Sequence, residues 1–197
     1  MEKAYDLDYF DRWYRDAGIG GRPRLQRKVA LAVAAAEYHL ERPLRSVLDI
    51  GCGEGAWRMP LLKLRPKARY LGFDSSEYAI RRYGARRDLH FARFGDFAQL
   101  RPCPPVDLLI CSDVLHYLPT REIARGLPGL AELCAGVAFL EVFTKEDETE
   151  GDNVGFHARP ARFYRQRFTA AGFRFAGSHC WLSPTLAGDA AALELGD

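Results

Sequence analysis

The feature that most restricts the fold is a regular alternation of short apolar runs with longer segments. The apolar runs begin at residues 46, 69, 89, 106 and 136, and read SVLDIG, RYLGFD, LHFARFGD, VDLLICSD and GVAFLEVFT. Residues 55–64, 75–84 and 119–134 lie between them and are long enough for crossover helices. Strands that alternate with helices form parallel sheets, and right-handed crossovers place helices on both faces. The sequence therefore predicts an α/β, Rossmann-like, doubly wound fold.

Further segments flank this alternating region. Two lead-in helices are predicted over residues 7–17 and 24–41, the second with apolar side chains at spacings of three and four before Pro43. After the fifth run we expect an acidic loop, a helix over about residues 160–171, and two short runs, RFAGSHCWLS and AALEL, paired as an antiparallel edge hairpin. The 197 residues fit one domain, with a helical lead-in (1–43), a core (44–145) and a loop, helix and hairpin (146–197).

Composition narrows the class of protein. Charged residues make up 27% of the chain, the formal net charge is +2, and basic residues are spread rather than clustered, so a nucleic-acid partner is not expected. No apolar stretch approaches the length of a membrane span, and the first residues lack a signal-peptide core, so we expect a cytoplasmic protein. The five cysteines contain no C-x-x-C pair, which argues against a zinc site or a disulfide framework.

A glycine-rich turn follows the first apolar run, in the sequence VLDIGCGEG. Gly51, Gly53 and Gly55 let the backbone turn tightly and approach a ligand where a Cβ atom would clash. Such glycines alone also fit a nicotinamide site or a simple strand-to-helix turn. The spacing differs from the dinucleotide pattern G-x-G-x-x-G, and Asp49 would repel a pyrophosphate. A ligand with a zwitterionic amino acid tail suits this turn better.

Two further acids end the next apolar runs. Asp74 closes YLGFD and is placed to accept hydrogen bonds from both ribose hydroxyls of a nucleoside. Asp96 ends the third run, where it is placed to accept from an adenine amino group while Phe97 packs beside the ring. Ligands of open α/β sheets bind at the carboxyl ends of strands, so the three acids predict one site.

Together, VLDIGCGEG, GFDSS, FGDFA and DLLICSDVLHYL resemble the ordered motifs of class I S-adenosylmethionine-dependent methyltransferases, over roughly residues 44–145. The resemblance implies a seven-stranded sheet of order 3-2-1-4-5-7-6, with the last strand antiparallel. It implies S-adenosylmethionine as cofactor and S-adenosylhomocysteine as product. The cofactor-binding residues it implies are Asp49, Gly51, Cys52, Gly53, Gly55, Asp74, Ser75, Asp96, Phe97, Cys111, Ser112 and Asp113.

Two residues are candidates for catalysis. Methyl transfer requires mainly that an acceptor be aligned with the methyl group and, where necessary, lose a proton. His116 follows the fourth run, in a loop that borders the methyl group in this family, and its imidazole titrates near neutrality. Glu141 lies inside an apolar run, so it must find a partner or point into the cleft. A structural histidine and a structural ion pair are the alternatives.

Four residues are candidates for acceptor binding. Tyr9 and Trp13 lie on one face of the first helix, which in this family often covers the cofactor and substrate, although such stripes usually belong to the core. Tyr117 and His157 follow the fourth run and the acidic loop, respectively. No metal is expected, because the acids stand one per loop rather than clustered.

Several functions fit these residues. The first is metal-independent methylation of oxygen or nitrogen on a small molecule, because the core and lead-in helices use nearly the whole chain and leave no separate recognition domain. RNA or protein methylation is an alternative, and so is a non-catalytic subunit that binds S-adenosylmethionine. A nicotinamide oxidoreductase is more distant. The acceptor, and whether the protein is a monomer or a homodimer, stay open.

Overall fold

The computed structural model describes residues 6–16, 21–148 and 154–192. Its strands are β1 (Ser46–Ile50), β2 (Arg69–Asp74), β3 (Leu89–Phe91), β4 (Val106–Ser112), β5 (Cys134–Glu141), β6 (Arg174–Gly177) and β7 (Cys180–Leu182). Its α-helices are α1 (Leu7–Phe10), α2 (Gly21–Leu40), α3 (Arg58–Leu64), α4 (Glu77–Arg87), α5 (Thr120–Leu133), α6 (Ala161–Ala170) and α7 (Pro184–Ala187). A π-helical segment, Asp11–Asp16, continues α1, and short 3₁₀ helices span Phe94–Ala98 and Leu115–Tyr117.

The strands form a seven-stranded sheet in the order β3-β2-β1-β4-β5-β7-β6. The pairs β3-β2, β2-β1, β1-β4 and β4-β5 are parallel, whereas β7 runs antiparallel to both β5 and β6. The predicted sheet order and the antiparallel strand are confirmed. The carboxyl ends of β1, β2, β4 and β5 consequently lie along one edge, where this class of sheet binds ligands.

The sheet is covered on both faces. Leu48 and Ile50 of β1 point into a core built with α5 and α6, while Val47 points into a second core built with α2 and α3. This alternation follows from the two-residue period of a strand. It confirms the predicted doubly wound arrangement.

The third apolar run is only partly a strand. β3 ends at Phe91, which pairs with Asp74, the last residue of β2. Beyond that point there is no strand for the chain to pair with, and Phe94–Ala98 forms a 3₁₀ helix in which Asp96 accepts a hydrogen bond from the Arg93 N–H at 2.9 Å. The prediction that Asp96 ends a strand is therefore wrong, because Asp96 lies in the 3₁₀ helix, five residues after the end of β3.

The C-terminal hairpin also differs from the prediction. Both of its strands, β6 and β7, lie within RFAGSHCWLS, so the hairpin forms inside this run rather than between it and AALEL as predicted. Ser178 and His179 have φ values of 49° and 64°, and two left-handed residues in succession make the tight turn that a twisted hairpin prefers. Pro184 then begins α7, and residues 193–197 lie outside the described part of the chain.

The predicted lead-in helices are present with small shifts at their ends. α1 and its π-helical continuation cover residues 7–16, and α2 covers residues 21–40. In the portion of the chain described here, no helix is long and apolar enough to cross a membrane.

Candidate cofactor and acceptor site

The glycine turn directly follows β1. Gly51, Gly53 and Gly55 have φ values of 74°, 54° and 77°, a left-handed conformation that residues with a Cβ atom adopt only at a cost. A Cβ atom on Gly51 would overlap the side chain of Val114, which follows β4. The N–H of Gly51 donates to the Phe73 carbonyl at 2.8 Å, so the turn is tied to β2. Steric fit and backbone conformation both require glycine here.

The Asp74 carboxylate joins the end of β2 to this turn. Its Oδ2 accepts from the Gly53 N–H and its Oδ1 accepts from the Ser76 N–H, both at 2.7 Å. Burial raises the pKa of Asp74, although these backbone hydrogen bonds oppose that shift. Each carboxylate oxygen has a second lone pair, which can accept from a ligand hydroxyl. Ser75, between the two contacts, is exposed at the same edge.

Asp49 is buried one residue before the end of β1. It is 2% exposed, and its Oδ2 accepts from the Tyr70 hydroxyl at 2.5 Å. Burial raises the pKa of Asp49 to about 7, the Tyr70 hydrogen bond lowers it, and the charge of Asp74 adds to the increase. Cys52 is buried beside this group, and burial raises the pKa of its thiol.

Tyr70 was not among the predicted site residues. It lies on β2 two residues before Gly72, which pairs with Asp49, so its side chain points to the same face of the sheet as that acid. The two-residue period of the strand and the parallel register together would have identified it. The register is known only once the strands are paired.

Asp96 and Phe97 have different environments. Asp96 is exposed and retains an accessible carboxylate. Phe97 has no exposed surface and packs edge-on against Phe73, with ring centroids 5.5 Å apart. This geometry gives no support to the predicted contact between Phe97 and a ligand ring, because the side chain supports the 3₁₀ helix from inside the core.

The end of β4 presents three predicted residues in different ways. Cys111 is fully buried, so its side chain has no surface for a ligand. Ser112 donates from its hydroxyl to Glu141 Oε2 at 2.6 Å. Asp113 has a left-handed φ of 63°, and its N–H donates to the Glu141 carbonyl at 3.0 Å.

Glu141, at the end of β5, forms an ion pair with α2 on the face of the sheet that α2 covers. Its side chain contacts the Lys28 ammonium from α2, with oxygen–nitrogen distances of 2.5 and 2.7 Å. Burial raises the pKa of Glu141, but the hydrogen bonds from Lys28 and Ser112 outweigh it and leave the pKa lowered. The structure thus places Glu141 in the ion pair that the sequence left as an alternative. Both of its carboxylate oxygens contact Lys28, so neither is available to take a proton from an acceptor. Nothing in the sequence singled out Lys28.

His116 is enclosed rather than presented to the cleft. Its residue surface is 1% exposed, and it lies among aromatic rings, including Tyr117 and Phe156 at centroid distances of 4.2 and 5.3 Å. Nδ1 faces the Phe143 N–H at 3.3 Å, and Nε2 faces Asp113 Oδ1 at 3.2 Å. Both ring nitrogens are engaged, so this environment does not support the predicted role of an accessible general base.

The predicted acceptor residues lie in two groups. Tyr117 is half-buried beside His116, and the N–H of exposed His157 donates to the His116 carbonyl at 2.8 Å. Tyr9 and Trp13 are half-buried on the N-terminal helical segment. The buried residue of α1 is instead Phe10, which lies directly above Gly53 and stacks on Tyr78 at 5.8 Å.

Within residues 6–16, 21–148 and 154–192, no group of histidine, cysteine, aspartate and glutamate side chains is arranged to hold a metal ion.

This sheet order, with a glycine turn after β1 and acids at the ends of β1 and β2, defines the class I methyltransferase fold. A SAM-dependent methyltransferase from Archaeoglobus fulgidus has the same fold, with a TM-score of 0.63 and 17% identity over 85% of this chain and 74% of that one. So does magnesium protoporphyrin IX methyltransferase from Synechocystis PCC 6803, solved with bound SAH, with a TM-score of 0.57 and 24% identity over 85% of this chain and 84% of that one.

Sequence similarity is concentrated in the same core. Residues 48–136 match the family described as a methyltransferase domain. Trans-aconitate 2-methyltransferase from Methylobacterium nodulans is 40% identical over 102 residues, which cover 51% of this chain and 38% of that protein. The chain thus spans well under two-thirds of the length of this curated relative.

Proposed function

We propose that this chain binds S-adenosylmethionine at the carboxyl ends of β1 and β2 and transfers its methyl group to oxygen or nitrogen of a small molecule, without a metal. The observation that carries the proposal is the Asp74 carboxylate, which is bound to the N–H of Gly53 in the glycine turn. This contact holds a hydrogen-bond acceptor for ribose next to backbone that a ligand can approach closely.

The described residues fit this cofactor. Asp49 is an acid beside the turn for the amino group of the methionine tail, Asp74 is an acceptor for ribose hydroxyls, and exposed Asp96 is an acceptor for the adenine amino group. When bound, the cofactor supplies a methyl group on a sulfonium. The chain's part is to hold the cofactor and align an acceptor near the ends of β4 and β5.

Relatives support the proposal in the matched core. Residues 48–136 contain Asp49, Asp74 and Asp96, and the family they match is a methyltransferase domain. The structural neighbour from Synechocystis carries SAH. The name of the Methylobacterium relative makes trans-aconitate an acceptor to include in any assay.

Calorimetry tests the cofactor half of the proposal. We expect SAM and SAH to bind and NAD not to bind. Asp74→Ala should weaken SAH binding by about 1 to 3 kcal/mol, the range for losing a charge-assisted hydrogen-bond acceptor. Glu77→Ala, which removes an exposed acid three residues away in α4, is the matched control and should bind SAH normally. Unchanged affinity in Asp74→Ala, or tighter binding of NAD than of SAH, would overturn the assignment.

A second candidate function is binding of the cofactor without turnover. The observation that favours it is that His116 and Glu141, the two residues predicted for catalysis, are buried and engaged in hydrogen bonds. It predicts SAH binding by calorimetry together with no methyl transfer to any acceptor. Measured release of SAH in the presence of any small-molecule acceptor would exclude it.

A further inference from the structure

In the pair formed by Asp113 and His116 at the end of β4, the carboxylate is accessible and the imidazole is buried. A histidine that acted as the base would require the reverse. His116 is 1% exposed, whereas 41% of the Asp113 side chain is accessible. The Phe143 N–H can only donate, so His116 Nδ1 must present its lone pair. In the neutral ring the hydrogen then lies on Nε2, which is 3.2 Å from Asp113 Oδ1. The histidine orients the carboxylate, and the carboxylate faces solvent.

The backbone fixes Asp113 beside the glycine turn. Its φ of 63° is a left-handed conformation that persists only where the surroundings hold it, and such residues gather at functional sites. Its N–H is held by the Glu141 carbonyl at 3.0 Å. The next residue, Val114, lies against Gly51. The accessible Asp113 carboxylate is therefore next in sequence to the residue that packs against the glycine turn, where the proposed cofactor binds.

The charges of nearby side chains influence which acceptors can bind beside Asp113. Lys28 is paired with Glu141, and the Arg159 guanidinium donates to the Leu118 carbonyl at 2.7 Å and to the Tyr164 hydroxyl at 3.3 Å. Glu141 balances the charge of Lys28, whereas the partners of Arg159 are neutral, and Asp113 keeps an accessible carboxylate. A carboxylate of the acceptor brought close to Asp113 would be repelled by it, since like charges close together disfavour each other.

We propose that Asp113 is the acceptor-binding carboxylate of this methyltransferase, that it takes alcohols, phenols or amines rather than polycarboxylates, and that His116 is its positioning residue. The inference rests on the proposed function. The acceptor's O–H or N–H donates to Asp113, the acceptor's lone pair forms the new bond to carbon, and the carbon–sulfur bond breaks with its electrons on sulfur. Asp113 holds the proton that the acceptor loses.

Asp113→Asn tests the role of the carboxylate. With a panel of small alcohols, phenols and amines, we expect kcat/KM to fall roughly 100-fold, the usual contribution of a positioned proton acceptor. SAH affinity, which the motif resemblance also links to Asp113, should fall by far less in calorimetry. Asp88→Asn is the matched control, because Asp88 is also left-handed, at φ 57°, and also pairs with a histidine, His90, at 2.9 Å. It lies before β3, away from the cleft, and should leave both quantities unchanged.

His116 has two tests: the first checks the arrangement of its ring, and the second separates positioning from a purely structural role. Long-range ¹H–¹⁵N spectra of the unliganded protein should show its hydrogen on Nε2, and a hydrogen on Nδ1 would overturn the arrangement. His116→Gln keeps a side-chain N–H donor toward Asp113 and should retain far more turnover than His116→Leu, mainly through kcat. Equal losses in the two variants, with equal stability, would count against positioning.

The acceptor class is decided by comparing the panel with trans-aconitate. We expect turnover with a panel member and none with trans-aconitate. Efficient methylation of trans-aconitate, or a rate with it that rises in Asp113→Asn, would overturn the proposal. SAH binding without turnover of any panel member also counts against the acceptor assignment and leaves the cofactor site standing. Failure to bind SAH would instead refute the proposed function itself.

Discussion

The ion pair between Lys28 and Glu141 makes a sharp prediction for the variant Lys28→Met. Glu141 is 3% exposed, so removing the ammonium leaves a carboxylate that water cannot solvate. Breaking a buried pair by deleting one partner costs about 3 to 5 kcal/mol. Here the Lys28 side chain is 26% exposed and the Ser112 hydroxyl still donates to Glu141, so both soften the loss.

We therefore expect a loss of about 2 to 3 kcal/mol in the free energy of unfolding at pH 8, just below that range. For a chain of this size it corresponds to a drop of roughly 5 to 10 °C in Tm. Urea denaturation followed by circular dichroism measures it directly. Arg42 and Asp107 form a second ion pair, with the Arg42 side chain 35% exposed, and Arg42→Met is the comparison for a more accessible cation.

The stability difference between Lys28→Met and the native protein should depend on pH, because it arises from the ionised carboxylate of Glu141. In the native protein the pKa of Glu141 is lowered, so its ion pair stabilises above the ordinary glutamate pKa and is lost as pH falls through the folded value. Without Lys28, burial dominates and raises the pKa of Glu141, so the variant gains stability relative to the native protein as the carboxyl becomes protonated. The difference between the two proteins should shrink from pH 8 to pH 5.

The double variant Lys28→Met/Glu141→Gln separates a stranded charge from lost packing. It contains neither charge and should recover most of the stability that Lys28→Met loses, because replacing a whole buried pair is often nearly neutral. The reasoning is refuted if Lys28→Met loses less than about 0.5 kcal/mol, the level of ordinary surface substitutions. It is also refuted if the double variant is as unstable as the single one, or if the loss is the same at both pH values.

Two further variants test residues beneath the proposed cofactor site. Gly51→Ala combines a left-handed φ of 74° with overlap on Val114. The variant should lose at least about 2 kcal/mol of stability in urea denaturation, and it should lose SAH binding in calorimetry. Normal stability and binding would contradict the steric argument. Tyr70→Phe removes the hydrogen bond to buried Asp49 and should cost about 1 to 3 kcal/mol while raising the pKa of that acid, as followed by carboxyl NMR titration; an unchanged titration would show that burial alone sets it.

Sheet architecture was predictable because it depends on patterns that are local in the sequence. Alternating strands and helices, together with the motif resemblance, indicated the order that the sheet adopts. The errors arose where contacts between strands, rather than the local sequence pattern, determine where a strand ends. β3 stops at Phe91 because β2 stops at Asp74, although the apolar run continues. Likewise, the turn at Ser178 and His179 divides a run that has no glycine or proline at those positions.

The position of a candidate site residue was predictable where it follows from a place at a strand end. Asp74 is such a residue, because the end of β2 adjoins the turn after β1 in any sheet of this order. The surroundings of Glu141 and His116 depend on groups far along the chain. Lys28 is 113 residues from its carboxylate partner, and the hydrogen on His116 is placed by a backbone N–H 27 residues away, which side-chain identity does not reveal.

The near-neutral acid beneath the glycine turn has a thermodynamic consequence for ligand binding. Because burial raises the pKa of Asp49 to about 7, part of this acid is protonated in a neutral buffer. An ammonium group bound beside it, as in the proposed cofactor site, would favour the ionised form, so binding should release protons to the buffer. The heat of binding at pH 7 should then differ between phosphate and Tris, which take up protons with different enthalpies.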